Sequence, residues 1–359
     1  MKCEQTVTRR GALQVLASTA AAPCVMGGWA QASEKGKTRL GLVTYTQAVR
    51  RRVLKANDPE CDLFEPLTFL EHCHELGGGG MQVPLGVLEP AECSRLREKA
   101  AAYGMFIEGI VSPPFADDDI ERFRAEIVTA SRVGTRAVRT VIIPGRRYER
   151  FRTRQEFDEF VQRGRQALER AKPIVERYQV RLAVENHKDQ RLDERLALLK
   201  ALGSPFIGAC VDTGNSLALL ENPLTVVRAL APYAFSVHLK DQAVQECADG
   251  FLLADVALGD GFLELERMID ILRRAQPEIQ FSLETITRDP LRVPCLAETY
   301  WLTFPDVPAC DLALTLNLIR THASDRLPSV GELPLIEQAA IEHETVVKSL
   351  DYARTHLQL

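Results

Sequence analysis

At 359 residues, with 46% hydrophobic and 26% charged side chains, the chain has the profile of a folded globular protein and not of a fibrous or low-complexity one. Its 44 basic and 49 acidic residues give a net charge of −5, so no basic field recommends nucleic acid as a partner. Nine scattered cysteines without a CxxC pair do not make a disulfide framework, and most are expected to be small buried apolar groups.

Residues 1–32 read as a signal peptide. Arg9-Arg10 precede an apolar, Ala-rich stretch over 13–29, and Ala30-Gln31-Ala32 offers small residues for cleavage. The paired arginines point to the twin-arginine route, and so to a periplasmic or otherwise exported protein. Pro23 and Gly27-Gly28 interrupt the apolar stretch, which argues against a stable membrane span.

Beyond it, short apolar β-branched runs alternate with longer amphipathic ones. Strands are expected over 39–44, 81–83, 105–111, 137–143, 181–185, 207–212, 235–239 and 280–284. Helices are expected over 63–76, 90–103, from the acidic run Asp117-Asp118-Asp119, and over 154–178, 192–202, 223–230 and 263–275. A plain loop is expected between residues 239 and 263. Arg50-Arg51-Arg52 and Arg146-Arg147 read as solvated charges, and His72-Cys73-His74 as structural, since alternate helix positions face different ways.

Eight β units with a helix in each gap imply a parallel sheet closed into a (β/α)8 TIM barrel over residues 38–290. An open doubly wound sheet would carry a Gly-rich phosphate turn after its first strand, where Thr44-Tyr45-Thr46 stands instead. Residues 291–359 form a C-terminal helical extension, with helices over 312–322 and 336–357, that packs on the barrel or forms a subunit contact. A homo-oligomer is left open.

Active sites of such barrels lie at the C-terminal ends of the strands. Four successive strands there end in a metal-ligand type: Glu185, Asp212, His238 and Glu284. Three acids brought to one rim repel unless a cation neutralises them. Oxygen-rich donors with one imidazole suit Mn²⁺ first, with Mg²⁺, Co²⁺ or Zn²⁺ also accommodated. His187, Asn215 and Lys240 stand beside these ends as substrate contacts, with Asp241 able to orient Lys240. Tyr45 and Glu108 are secondary candidates.

The runs LAVENH, GACVDTGNS, SVHLKD, LGDGFLELERMIDIL and FSLET resemble the xylose isomerase-like TIM-barrel family over roughly residues 39–285. The resemblance implies a divalent metal on Glu185, Asp212, His238 and Glu284, with Glu185 and Glu284 as the acid/base pair of an isomerase or epimerase acting on a sugar. Two departures stand out. Asn215 occupies a position where epimerases and nucleases of the family often have His, and Val244 one where epimerases have Arg. With only seven histidines, the chain lacks the richer ligand set of the family's nucleases. The expected function is metal-dependent isomerisation or epimerisation through an enediolate. A lyase or decarboxylase acting on a keto sugar, and a non-catalytic carbohydrate-binding barrel, are the alternatives. No further cofactor is expected, and the partner is a small sugar-like molecule.

Overall fold

The computed structural model describes residues 36–359, so the segment read as a signal peptide, residues 1–32, lies outside the described residues. Eight parallel strands close into a barrel: β1 (Gly41–Val43), β2 (Gly80–Val83), β3 (Phe106–Ile110), β4 (Ala137–Thr140), β5 (Arg181–Glu185), β6 (Ile207–Asp212), β7 (Ala234–Leu239) and β10 (Phe281–Leu283). β10 pairs with both β7 and β1 and completes the ring.

Helices fill the gaps. After β1 come α1 (Ala48–Asn57) and α2 (Pro66–Glu75); α1 lies in a stretch where no helix was expected. There follow α3 (Pro90–Tyr103), α4 (Ile120–Val133), the short α5 (Arg147–Arg150), α6 (Arg154–Tyr178), α7 (Leu192–Leu202), α8 (Pro223–Leu230) and α9 (Leu265–Ala275). Local chemistry sets their limits. The side chains of Glu89 and Glu92 cap α3 reciprocally, Pro90 occupies its first turn, and Gly104 ends it in the left-handed conformation at φ 66°. Thr153 and Glu156 cap α6 in the same way. Outward-facing strand residues such as Leu42, Val138, Val184 and Val211 pack against the helices in one continuous core.

The barrel interior is different. Phe106 plugs the N-terminal end, and it fits because Gly41 and Gly80 face it: a Cβ at Gly80 would come within 2.4 Å of the ring. Above this plug the inward positions are polar, including Gln82, Glu108, Arg139, Cys210, Ser236 and Ser282. That is unlike the layers of branched apolar side chains that usually fill such a barrel.

The loop expected after β7 is instead a β-hairpin. β8 (Asp241–Cys247) pairs antiparallel with β9 (Gly250–Val256), and β11 (Leu291–Val293) adds a third strand. Asp241 anchors its base by accepting backbone N–H groups of Gln242, Gly259, Gly261 and Leu263 at 2.9–3.1 Å. It thus organises the hairpin, and no hydrogen bond joins its carboxylate to Lys240, contrary to the role expected for it.

The C-terminal extension brings α10 (Ala309–Thr321) and α11 (Leu335–Thr355). A second core, with Tyr148, Phe251, Tyr300, Phe304 and Ile319, joins it to the hairpin and α5. Arg147 is not a solvated charge. It is buried, pairs with Glu194 at 2.7 Å, and lies between the Phe157 and Phe304 rings at 3.5 and 4.1 Å. His72 bonds Gln47 at 2.9 Å, and His74 stacks on Tyr103, as structural residues would. Among the described residues, no helix is long and apolar enough to cross a membrane.

Glu342 of α11 is buried and accepts the N–H groups of Val49 and Arg50 at 2.8 Å each, so the last helix caps the first. Burial pushes its carboxyl up to about 7, against the pull of those two N–H groups and Arg50. Glu342→Ala would leave two buried donors unmet and is expected to lower unfolding free energy by about 2 kcal/mol in urea titration. An unchanged midpoint would mean that α11 does not hold α1.

Candidate metal centre

Register explains why four residues so far apart in the chain meet. Asp212 pairs directly with His238, His238 with Ser282, and Glu284 lies two residues beyond Ser282 on the same face. Glu185, at the end of β5, pairs with Cys210, two residues below Asp212. One donor atom from each of Glu185, Asp212, His238 and Glu284 lies within 4.8 Å of all the others, and all four residues are buried.

Each donor is fixed from behind. Asp212 Oδ1 accepts the N–H groups of Gly214 and Asn215 at 2.9 and 2.8 Å, which leaves Oδ2 for the centre. The Asn186 amide straddles the Asp212 backbone, accepting from its N–H at 2.8 Å and donating to its carbonyl at 3.0 Å. Gln82 Nε2 donates to Glu108 at 2.8 Å, so Gln82 Oε1 faces His238 Nε2, also at 2.8 Å. The imidazole therefore donates from Nε2 and turns Nδ1 to the acids, 3.3 Å from Glu284 and 3.5 Å from Glu185. Ser236 also donates to Glu108, at 2.6 Å. Burial raises the Glu108 carboxyl to about 7 despite these bonds.

Two protein cations share the site. Arg139, on β4, binds Glu185 Oε2 through Nε at 2.5 Å and through its Nη2. Burial opposes the charge on Glu185, but this guanidinium overrides it and holds the carboxyl at about 2. Lys240 Nζ lies 3.0 Å from Asp212 Oδ2 and 2.8 Å from Glu284 Oε2. Burial still pushes Asp212 up to about 6, against the pull of Lys240. For Glu284 the balance reverses: Lys240 and His238 overcome burial and keep it well below the usual carboxylate range. The acids are thus neutralised in part by the chain's own cations, a contribution that strand-end positions alone do not reveal.

The donor set nonetheless fits a divalent ion. His238 Nδ1 and Asp212 Oδ2 are buried without a hydrogen bond, since Lys240 sits at ion-pair distance from Oδ2 but outside hydrogen-bond geometry. Against burial, Cys210, Glu284 and Glu185 raise the His238 imidazole well above its usual range, so an ion would take the place of its Nδ1 proton; three carboxylates and one imidazole freed in this way suit Mn²⁺ and related ions.

Of the expected substrate contacts, Asn215 and Lys240 lie inside this cluster. Asn215 donates to Glu185 Oε1 at 3.0 Å, and Lys240 reaches Asn215 Oδ1 at 3.3 Å. His187 stands apart: it is half-buried, with Nδ1 3.1 Å from the Gly145 carbonyl. Burial holds its imidazole neutral, with a pKa of about 3. Arg139, Lys188 and Gln82 were not anticipated. Their signal is a polar residue at an inward position of an apolar strand, or directly beyond a ligand. A cleft of about 190 Å³ is lined by Thr285, the residue after Glu284, and by Asp255, Arg288 and Lys348, but by none of the four donors.

Lys240 would compete with a metal for Asp212 and Glu284. Lys240→Met is expected to tighten Mn²⁺ binding about tenfold in calorimetry, by removing that competing charge. Weaker binding would show instead that Lys240 helps to hold the ion.

The family described as xylose isomerase-like TIM barrel matches residues 70–302. The 3-oxo-isoapionate decarboxylase of Pectobacterium atrosepticum is 28% identical over 221 residues, which cover 60% of this chain and 75% of that protein. Among solved structures, the D-psicose 3-epimerase of Clostridium cellulolyticum H10 superposes with a TM-score of 0.54 at 11% identity, covering 88% of this chain and 98% of that one. A xylose isomerase domain protein from Planctomyces limnophilus superposes with a TM-score of 0.51 at 16% identity, covering 80% and 97%. At these identities the superpositions establish a shared fold.

Proposed function

The chain belongs to the xylose isomerase-like TIM barrel family, and from that premise we propose that it is a divalent-metal-dependent isomerase or epimerase of a sugar or sugar derivative, working through an enediolate. The observation that carries this reading is the convergence of Glu185, Asp212, His238 and Glu284 within 4.8 Å. Mn²⁺ is the ion we expect there, with Mg²⁺, Co²⁺ and Zn²⁺ as alternatives. When bound, it would supply Lewis acidity, drawing charge from a substrate carbonyl and the adjacent hydroxyl.

The chain's own groups do the rest. Glu284 takes the proton from the carbon next to the carbonyl; its ion pairs run through Oε2, which leaves Oε1 for that proton. Lys240 faces the charge that develops on the substrate oxygens. Glu185 returns a proton to the opposite face or to the neighbouring carbon. The depth of the site, where all four donors are buried, keeps bulk water from the enediolate. We also propose that the protein meets its substrate outside the cytoplasm, on the strength of the twin-arginine segment in residues 1–32.

A second reading is decarboxylation of a keto sugar acid, and a specific observation favours it. Both oxygens of Glu185 are engaged, Oε2 by Arg139 and Oε1 by Asn215, so Glu185 is better placed as a fixed ligand than as a second proton carrier. Decarboxylation needs only one. The carbon–carbon bond to the carboxylate breaks, its electron pair passes into the enediolate, CO₂ leaves, and the carbon takes a solvent proton relayed by Glu284. The 28% identity with a decarboxylase supports the same outcome.

In D₂O with excess Mn²⁺, the protein is expected to exchange the α-hydrogen of a ketose from a panel of ketopentoses and ketohexoses, and Glu284→Gln to lose at least about 100-fold of that rate. Retained exchange in the variant would remove Glu284 from the role of base. Release of CO₂ from 3-keto sugar acids, without ketose exchange, would select the second reading.

A further inference from the structure

Lys188 lies three residues beyond Glu185, and its charge is not used by the fold. The side chain is buried, at 2% exposure, and its ammonium binds a neutral partner, Asn215 Oδ1. Among the described residues no carboxylate lies within ion-pair distance of it. The same Asn215 oxygen is 3.3 Å from Lys240 Nζ, so two ammonium groups converge on one amide. Lys240 is compensated by Asp212 and Glu284 at 3.0 and 2.8 Å. Lys188 is not, and a buried cation without a counter-ion is costly unless a ligand completes it.

The remaining neighbours do not supply one. Asp255 is committed to Arg288, 3.2 Å away, and Gln242 reaches its other oxygen at 3.4 Å. Asn215 turns its Nδ2 away, toward Glu185. Burial, and then the Lys240 charge, pull the Lys188 ammonium down to about 8; Asp255 and Asp212, neither at ion-pair distance, pull the other way without offsetting them, which agrees with an incomplete ion pair.

The geometry points to a substrate anion subsite at Lys188, one amide away from the metal donors, that takes a carboxylate carried on the sugar. This rests on the functional reading above and narrows its substrate class to sugar acids. A carboxylate is planar and singly charged, and it matches one uncompensated ammonium better than a phosphate dianion does. The subsite orients the acid; it does not decide whether the carboxyl group is kept or lost.

The test compares binding of three probes, erythronate, erythrulose and erythrulose phosphate, to the full chain by calorimetry, with and without Mn²⁺. Wild type is expected to bind erythronate about tenfold more tightly than neutral erythrulose, Lys188→Met to bring the two within about twofold, and Lys188→Arg to keep the preference. The acid preference is expected to persist in metal-free protein, because Lys188 is not a metal ligand. Equal binding of acid and ketose by wild type, or an unchanged preference in Lys188→Met, would overturn the proposal. So would tightest binding of the phosphate ester. Failure to bind Mn²⁺ would instead sink the metal reading, and the metal-free arm would still decide on Lys188. Should Lys188→Met fail to fold, Lys188→Gln serves for the same comparison.

Discussion

Charge crowding at the barrel mouth is the constraint on which this structure turns. Glu185, Asp212 and Glu284 are brought within a few ångströms of one another and shut away from water. Like charges in such a place cannot stay ionised unless cations face them. Arg139, Lys240 and the His238 ring meet that need within the chain, and the Asp212 carboxyl, raised to about 6 by burial, marks where compensation is weakest. Asp212 Oδ2 and His238 Nδ1, each buried without a hydrogen bond, point to where an ion would complete it.

The supporting layers follow from this. The polar interior between Phe106 and the acids is a scaffold of hydrogen bonds: Ser236 and Gln82 hold Glu108, Gln82 orients His238, and Asn186 and the turn after β6 fix Asp212. Outside the barrel, the hairpin and the C-terminal helices wall the mouth. Asp241 pins the hairpin's base one residue after Lys240, so Gly261 must lack a side chain: a Cβ there would lie 2.1 Å from Asp241 Oδ1. Lys348 of α11 pairs with Asp260 at 2.6 Å on the same rim. The extension thus helps to build the entrance as well as capping α1 through Glu342.

Much of this was legible in the sequence. Strands β5 and β6, and helices α3, α6, α7 and α8, fall at the expected boundaries because apolar periodicity, capping residues and glycine stops agree there. The four donors stood out because each ends an apolar strand. What was missed has physical causes. The hairpin turns through Ala248-Asp249, with Gly250 opening β9, but its polar outer positions looked like a loop. Arg147 looked solvated because its sandwich of Phe157 and Phe304 draws on residues about 150 positions apart, one before and one after the site strands. Arg139 and Lys188 could have been suspected from their place, but no local pattern says which acid a buried cation will face.

The central claim is that these four residues share one divalent ion. The most direct measurement is a crystal structure of Mn²⁺-soaked protein with anomalous data. The account predicts a single strong peak about 2.1–2.4 Å from Glu185, Asp212, His238 Nδ1 and Glu284, with the Lys240 ammonium withdrawn from Asp212 and Glu284. A site without anomalous signal, Lys240 still lodged between the two acids at saturating Mn²⁺, would contradict it.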